Sequence, residues 1–278
     1  MDMLDKYKPL ATLYTRYINS NWQGVRFLCY HRVIEKDIFK ENNVNILAVT
    51  ADVFEKQMQL ISDLGMSVVS MKQALSLLQN GEANKGNYIC ITFDDSYLDN
   101  VTIAWSILKK FGYAAHIFVV TDWIGQMYHR AAQEVKLSCQ FVSKKDLQLF
   151  VREGGSVGSH SISHKAMTTL DAQELLKEIR DSKHALEQII GQSVDTFAYP
   201  YAFFNDHMYG ILADNGYAAA FIIEMGYINS INNKQRYRIR RTAISHNEKQ
   251  DIFALKIKGG YDWIRYYSRI KQLMRNYM

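Results

Sequence analysis

Two adjacent acids, Asp94 and Asp95, follow the apolar run from Tyr88 to Phe93. The end of such a run is where a parallel α/β sheet places its ligand-binding groups. Neighbouring side chains on a strand point to opposite faces, so the two carboxylates cannot share one task unless the backbone turns sharply; one can hold a cation while the other handles a proton. The plain alternative is that one or both cap the next helix or start a turn. His160 and His164 stand four residues apart within Gly158-Ser159-His160-Ser161-Ile162-Ser163-His164, a spacing that lets both imidazoles reach one ion. The flanking glycine and serines disfavour a helix and put the pair on a loop after the short strand Ser156-Val157. With Asp95 the pair makes two imidazoles and one carboxylate, a set that leaves coordination positions open for water and substrate. A chance pair of surface histidines is the competing account.

Two weaker signals join these. Phe197-Ala198-Tyr199-Pro200-Tyr201 carries one of only two prolines in the chain, directly after a strand. Rigid backbone amides at a sheet rim can face an oxyanion, although an ordinary proline turn with aromatic packing partners would look the same. His31 follows the first strand within Leu28-Cys29-Tyr30-His31-Arg32. Its place at a strand C-terminus makes it a candidate general acid; otherwise it hydrogen-bonds a carbonyl at the end of the sheet.

These residues need a scaffold that gathers them from distant stretches. The run from Val25 to Tyr30 reads as a buried strand. A helix is expected from Ala51, with Phe54, Met58, Leu60, Ile61 and Leu64 at helical spacing and Gly65 placed to stop it. The strand Tyr88 to Phe93 precedes a helix from about Asn100 to Phe111 and a strand from His116 to Val120. Asp171, Glu174 and Gly191 bracket a capped helix from Ala172 to Ile190. Further strands are expected at Thr196 to Tyr199, Ala218 to Ile223 and Tyr237 to Arg240, with a helical stretch near Met208 to Asp214. This β-α rhythm predicts a mostly parallel sheet, closed as a barrel or open with helices on both faces.

Composition narrows the class. The 278 residues are 48% hydrophobic and 22% charged, the balance of a globular protein rather than a disordered one. Thirty-three Lys and Arg against 28 Asp and Glu leave a surplus of +5, too dilute to imply a nucleic-acid partner. Cys29, Cys90 and Cys139 lie far apart, in no paired Cys-x-x-Cys spacing, and read as reduced thiols. The first residues hold no apolar run of signal-peptide length, so a cytoplasmic protein is expected. No stretch reaches the roughly 20 apolar residues of a transmembrane helix. The tail from Tyr261 to Met278 has the make-up of a basic amphipathic helix, which either docks on the body or lies against an anionic membrane or a partner. No repeat or linker breaks the middle, so we expect one main domain, 25–258, between an N-terminal helical extension, 1–24, and the C-terminal helix, 259–278.

Taken together, Thr92-Phe93-Asp94-Asp95, His160-Ser161-x-x-His164 and the Pro200-Tyr201 turn, in that order, resemble the polysaccharide deacetylase (NodB-like) family. Tyr97-x-Asp99-Asn100, Ile117-Phe118-Val119 and Tyr30-His31 extend the similarity, which is greatest to the poly-N-acetylglucosamine deacetylase branch. The resemblance implies a distorted (β/α) barrel of about seven strands and a divalent metal, zinc first with cobalt, nickel or manganese as alternatives. It implies hydrolysis of an N-acetyl group from an amino sugar in a polysaccharide, lipid-linked or nucleotide-linked glycan. Carried onto this chain, Asp95, His160 and His164 hold the metal, Asp94 is the general base, His31 the general acid, and the Tyr201 amide helps to bind the oxyanion. Tyr199, Pro200 and Arg241 are expected to touch the substrate. Ser96 and Ala202 stand where relatives usually have glycine, so differently shaped turns are expected. The arginine that begins the third motif in many relatives is missing, which leaves Arg240 or Arg241 as candidate partners of Asp94. An O-acetyl carbohydrate esterase and a non-catalytic carbohydrate-binding barrel are the rival functions.

Overall fold

Along the first strand Val25, Phe27 and Cys29 alternate with Arg26, Leu28 and Tyr30, and this two-residue period organises the whole fold. The computed structural model describes residues 3–17, 22–37, 47–129, 138–245 and 248–265. Seven parallel strands follow one another around a ring: β1 (Gly24–Tyr30), β2 (Asn87–Phe93), β3 (His116–Val119), β4 (Ser156–Ser159), β5 (Thr196–Ala198), β6 (Ala219–Ile223) and β7 (Ile239–Ala243). Pairing of β7 with β1, with Phe27 opposite Arg241 and Cys29 opposite Ala243, closes the barrel. The expected (β/α) barrel is therefore the observed architecture.

Phe27, Cys90, Phe118, Ala198, Phe221 and Ile239 form a cluster inside the ring. The alternate residues Leu28, Ile89, Ile91, Phe93 and Ile117 pack outward under the helices. The interior is full. A Cβ added at Gly158 would come within 2.5 Å of Thr196 and 2.6 Å of His116 and Phe118, so only glycine lets β4 run past them.

The outer layer comprises α1 (Met3–Tyr17), α2 (Ala51–Asp63), α3 (Met71–Gln79), α4 (Trp105–Lys110), α5 (Lys144–Arg152), α6 (Ala172–Ile190), α7 (His207–Asp214) and α8 (Gln250–Ile257). The ends of α6 obey the sequence: Asp171 accepts from the amides of Gln173 and Glu174 at 2.9 Å, and Gly191 is left-handed. The helix expected from Asn100 opens as a π-helical turn, Asn100–Ala104, before α4 begins. The strand expected at Tyr237 begins at Ile239 instead, because Gln235–Tyr237 is a 3₁₀ turn. Helix α1 docks on α8 through Leu4, Ala11, Ile252 and Tyr261. Arg26 ties this layer to the barrel with two 2.9 Å hydrogen bonds to Asp262. From residue 266 onward the expected C-terminal helix lies outside the described residues. All three cysteines are free thiols. No helix among the described residues is long and apolar enough to cross a membrane.

Candidate active site

Parallel strands deliver every residue of the site to one end of the barrel. Asp94 continues the inward-facing column of Cys90 and Thr92 beyond β2, and its amide donates to the Tyr30 carbonyl at 2.9 Å, so it points into the mouth beside β1. His160 continues the inward column of Gly158 beyond β4 and donates from Nδ1 to the Ala198 carbonyl of β5 at 2.8 Å. That bond fixes the ring and leaves Nε2 as the lone-pair nitrogen facing the site.

The loops beyond the strands are bent in a way that side chains resist. Asp95, Ser96, Ser161, His164, Tyr201 and Ala202 all have φ between 57° and 70°, and they are the only non-glycine residues with positive φ among the described residues. Such conformations cost about 1–3 kcal/mol each and persist where the surroundings over-determine them. At Ser96 the surroundings are visible: its Oγ accepts from the Val120 amide and its carbonyl from the Val142 amide, each at 2.9 Å. Ser96 and Ala202, the two positions where relatives usually have glycine, are both left-handed, the conformation that glycine adopts at least cost.

Asp95, His160 and His164 converge. Their ligand atoms lie within 4.8 Å of one another, with Asp95 Oδ1 at 3.6 Å from His160 Nε2 and 3.3 Å from His164 Nε2. Ligands held about 2.1 Å from one tetrahedral ion stand about 3.4 Å apart. Asp95 Oδ1 is buried with no hydrogen-bond donor, a costly state for a carboxylate oxygen unless a cation completes it. Burial drives the His160 pKa down to about 4 even though Asp94 opposes the shift; its ring is neutral at pH 7, as a metal ligand must be. Burial raises the Asp95 pKa, yet the His164 contact and the neighbouring imidazoles outweigh it and lower the pKa overall. The donor set fits a divalent ion.

Asp94 is held differently. Arg241 Nη1 reaches Oδ1 at 2.5 Å and Nη2 reaches Oδ2 at 2.7 Å, while the Cys29 thiol donates to Oδ2 at 3.4 Å. Burial pushes the Asp94 pKa up, but the Arg241 guanidinium more than reverses this and holds the group well below the usual carboxylate range. A second trio, Cys29, His31 and Asp94, also lies within 4.8 Å; both Asp94 oxygens there already face Arg241. His31 is buried at the rim with Nδ1 lacking a partner, and its carbonyl accepts from Asn100 at 2.6 Å.

The three expected substrate contacts fall out differently. Arg241 is wholly buried beneath Asp94, and its guanidinium is spent on that carboxylate instead of lining the open mouth. Tyr199 is also buried. The outward parity of β5 turns its ring into the cluster under α6 and α7, where its hydroxyl donates to the Tyr237 carbonyl at 3.0 Å. Pro200 is buried and shapes the turn rather than the surface. Tyr201 is 60% exposed, its ring centroid 4.6 Å from that of His164. Phe203, 54% exposed, extends this shelf, and Trp123 flanks His164 on another side at 5.1 Å.

Sequence reasoning passed over Glu178. From the buried stripe of α6 its carboxylate accepts from the amides of Ile162 and Ser163 and from the Ser163 hydroxyl, so it clamps the loop between the two histidines. The signal was present: a glutamate sits among Leu175, Ile179 and Ser182 on the face turned to the barrel.

Residues 81–220 match the family model described as polysaccharide deacetylase. A poly-β-1,6-N-acetyl-D-glucosamine N-deacetylase of Staphylococcus epidermidis is 25% identical over 255 residues, 84% of this chain and 83% of that protein. Among solved structures, the Streptococcus pyogenes deacetylase PplD in complex with acetate has a TM-score of 0.69 at 23% identity, covering 84% of this chain and 98% of that one. IcaB from Ammonifex degensii has a TM-score of 0.69 at 20% identity, covering 86% and 98%. At these identities the two structures establish the shared fold.

Proposed function

The chain belongs to the polysaccharide deacetylase family, and from that premise we propose that it is a metal-dependent hydrolase that removes the N-acetyl group from an amino-sugar residue of a glycan. One observation carries the reading: a buried, donorless carboxylate oxygen and two imidazole nitrogens converge on a common point beside a second carboxylate gripped by an arginine. The similarity to the Staphylococcus epidermidis enzyme, named for poly-β-1,6-N-acetyl-D-glucosamine, supports an N-acetylhexosamine chain as substrate. The exposed rings of Tyr201 and Phe203 offer the flat apolar surface on which a sugar face stacks.

In this reading Asp95, His160 and His164 would hold the divalent ion, zinc first and cobalt, nickel or manganese in its place. When bound, such an ion polarises the acetyl carbonyl and acidifies a water. Asp94 takes the proton of the attacking water. It must be ionised to do so, and Arg241 keeps it ionised. The guanidinium also fixes the rotation of the carboxylate, because a fork of two nitrogens on two oxygens admits one orientation. The Tyr201 amide, on a left-handed turn, donates to the oxygen on which negative charge develops. An amine leaves only as the protonated species, and His31, at the rim beside Asp94, supplies the proton. Full burial of Asp94 keeps bulk water from competing for the base.

The test combines metal analysis of the purified protein with acetate release from N-acetylglucosamine oligomers. Retention of about one divalent ion per chain, with loss of both ion and activity in Asp95→Asn and His160→Ala, is the expected result. Acetate release that survives exhaustive chelation would sink the reading.

A further inference from the structure

The link from β6 to β7 lacks the helix that covers the outer face elsewhere in the barrel. Residues 224–238 contain only the 3₁₀ turn Gln235–Tyr237. In the gap lies a cleft of about 490 Å³, within the range of small-ligand sites. Its wall carries four cationic side chains, Lys234, Arg238, Arg240 and Arg265, against a single acid, Asp206. Strand parity separates the cleft from the deacetylase centre: Arg241 points into the barrel to Asp94, and its neighbour Arg240 points out to this wall.

The cations are not all neutralised within the protein. Arg240 Nε pairs with Glu224 at 2.5 Å, which spends one nitrogen and orients the rest of the guanidinium. Among the described residues neither Lys234 nor Arg238 has a carboxylate in ion-pair contact. Arg238 instead sits over the Phe204 ring, its Cζ 5.1 Å from the centroid, a contact that consumes none of its hydrogen-bond donors. Tyr209 and Tyr227 supply apolar walls with polar tips beside these groups. Like charges gathered in one concave wall raise the local potential and favour a multiply charged anion. Planar guanidinium forks match the paired oxygens of a phosphate.

We propose that this cleft is a second binding site, for the phosphate or diphosphate group of a ligand whose attached ring or chain rests on Tyr209 and Tyr227. The site is independent of the deacetylase reading. Isothermal titration of the 278-residue chain with inorganic pyrophosphate tests it, beside sedimentation with phosphatidylcholine vesicles carrying phosphatidic acid. The comparison is the double variant Lys234→Glu/Arg238→Glu, with the single variant Arg238→Gln as a milder change. Both altered side chains are exposed, so the unfolding midpoint should stay the same. Pyrophosphate binding that weakens about tenfold or more in the double variant, and less in the single one, supports a soluble phosphate ligand. Vesicle binding lost in the same order supports a lipid headgroup. Equal affinity of wild type and double variant for both probes, or no binding of either, overturns the proposal.

Discussion

Arg241 and Asp94 face each other from opposite sides of the barrel seam as a two-pronged pair, Nη1 to Oδ1 and Nη2 to Oδ2, both partners buried. Truncating one member of such a pair leaves an uncompensated charge in the interior, which costs about 3–5 kcal/mol. For Arg241→Ala we expect a loss of that order in urea unfolding. Arg241→Lys keeps the charge but cannot bridge two oxygens. The lysine variant should therefore remain folded and lose about 10- to 100-fold in kcat, with KM nearly unchanged. A kcat equal to wild type would show that the orientation of Asp94 is irrelevant.

Glu178 lies on a helix, yet its carboxylate sets the loop that carries Ser161 and His164. Groups that orient metal ligands typically contribute 10- to 100-fold to metal affinity. Glu178→Ala should weaken zinc retention by about that factor in competition with a chelator. Glu178→Gln, which keeps an acceptor oxygen for the two amides, should weaken it less. Equal retention in all three proteins would reduce Glu178 to a packing residue.

Much of this geometry is legible in the sequence because the residues sit in short motifs immediately after apolar runs. Asp94 with Asp95, and His160 with His164, need only the rule that parallel strands present chemistry at their C-terminal ends. Tyr199 and Arg241 needed more, because their sides depend on strand register. A start at Ile239 in place of Tyr237 follows from the 3₁₀ turn, and it is the pairing of β7 with β1 that seats Arg241 under Asp94. Choosing between Arg240 and Arg241 thus required a long-range contact that no local pattern encodes. Glu178 was hidden for a different reason: a single polar residue on an apolar stripe looks like tolerance until its acceptors are known to meet free amides.

Stability should fall in mild acid through His116. Its ring lies inside the barrel between Ser156 at 2.8 Å and Thr196 at 2.9 Å, and burial lowers its pKa to about 3. A histidine in the unfolded chain takes up a proton near pH 6.5, whereas the folded protein refuses it until about pH 3. The folded state therefore gives up stability as pH drops from about 6.5 toward 3, at a rate on the order of 1 kcal/mol per pH unit, and this group adds no slope above that window. Asp94, whose folded pKa is also depressed, contributes in the same direction at still lower pH. Urea unfolding at pH 7 and pH 5 should reveal the loss, and His116→Gln, which cannot ionise, should reduce the difference by about half, the rest belonging to His160, which burial also keeps neutral. Parallel slopes for the two proteins would assign the acid sensitivity elsewhere.

The division of labour between Asp94 and its neighbour His31 gives the sharpest test of the proposed reaction. Arg241 holds the Asp94 pKa far below neutrality, so in the proposed reaction Asp94 begins ionised, with no proton of its own to give. That reaction assigns the proton for the departing amine to His31, buried beside Asp94 with Nδ1 unpartnered. An alkoxide leaves with much less assistance than an amine. His31→Ala should consequently lower acetate release from an N-acetylated sugar by about 10²- to 10⁴-fold while an O-acetylated sugar or an activated acetyl ester loses far less. Asp94→Asn should depress both substrates together, because each requires the same activated water. If His31→Ala affects amide and ester equally, the proton reaches the amine by another route and His31 serves the site only through its position.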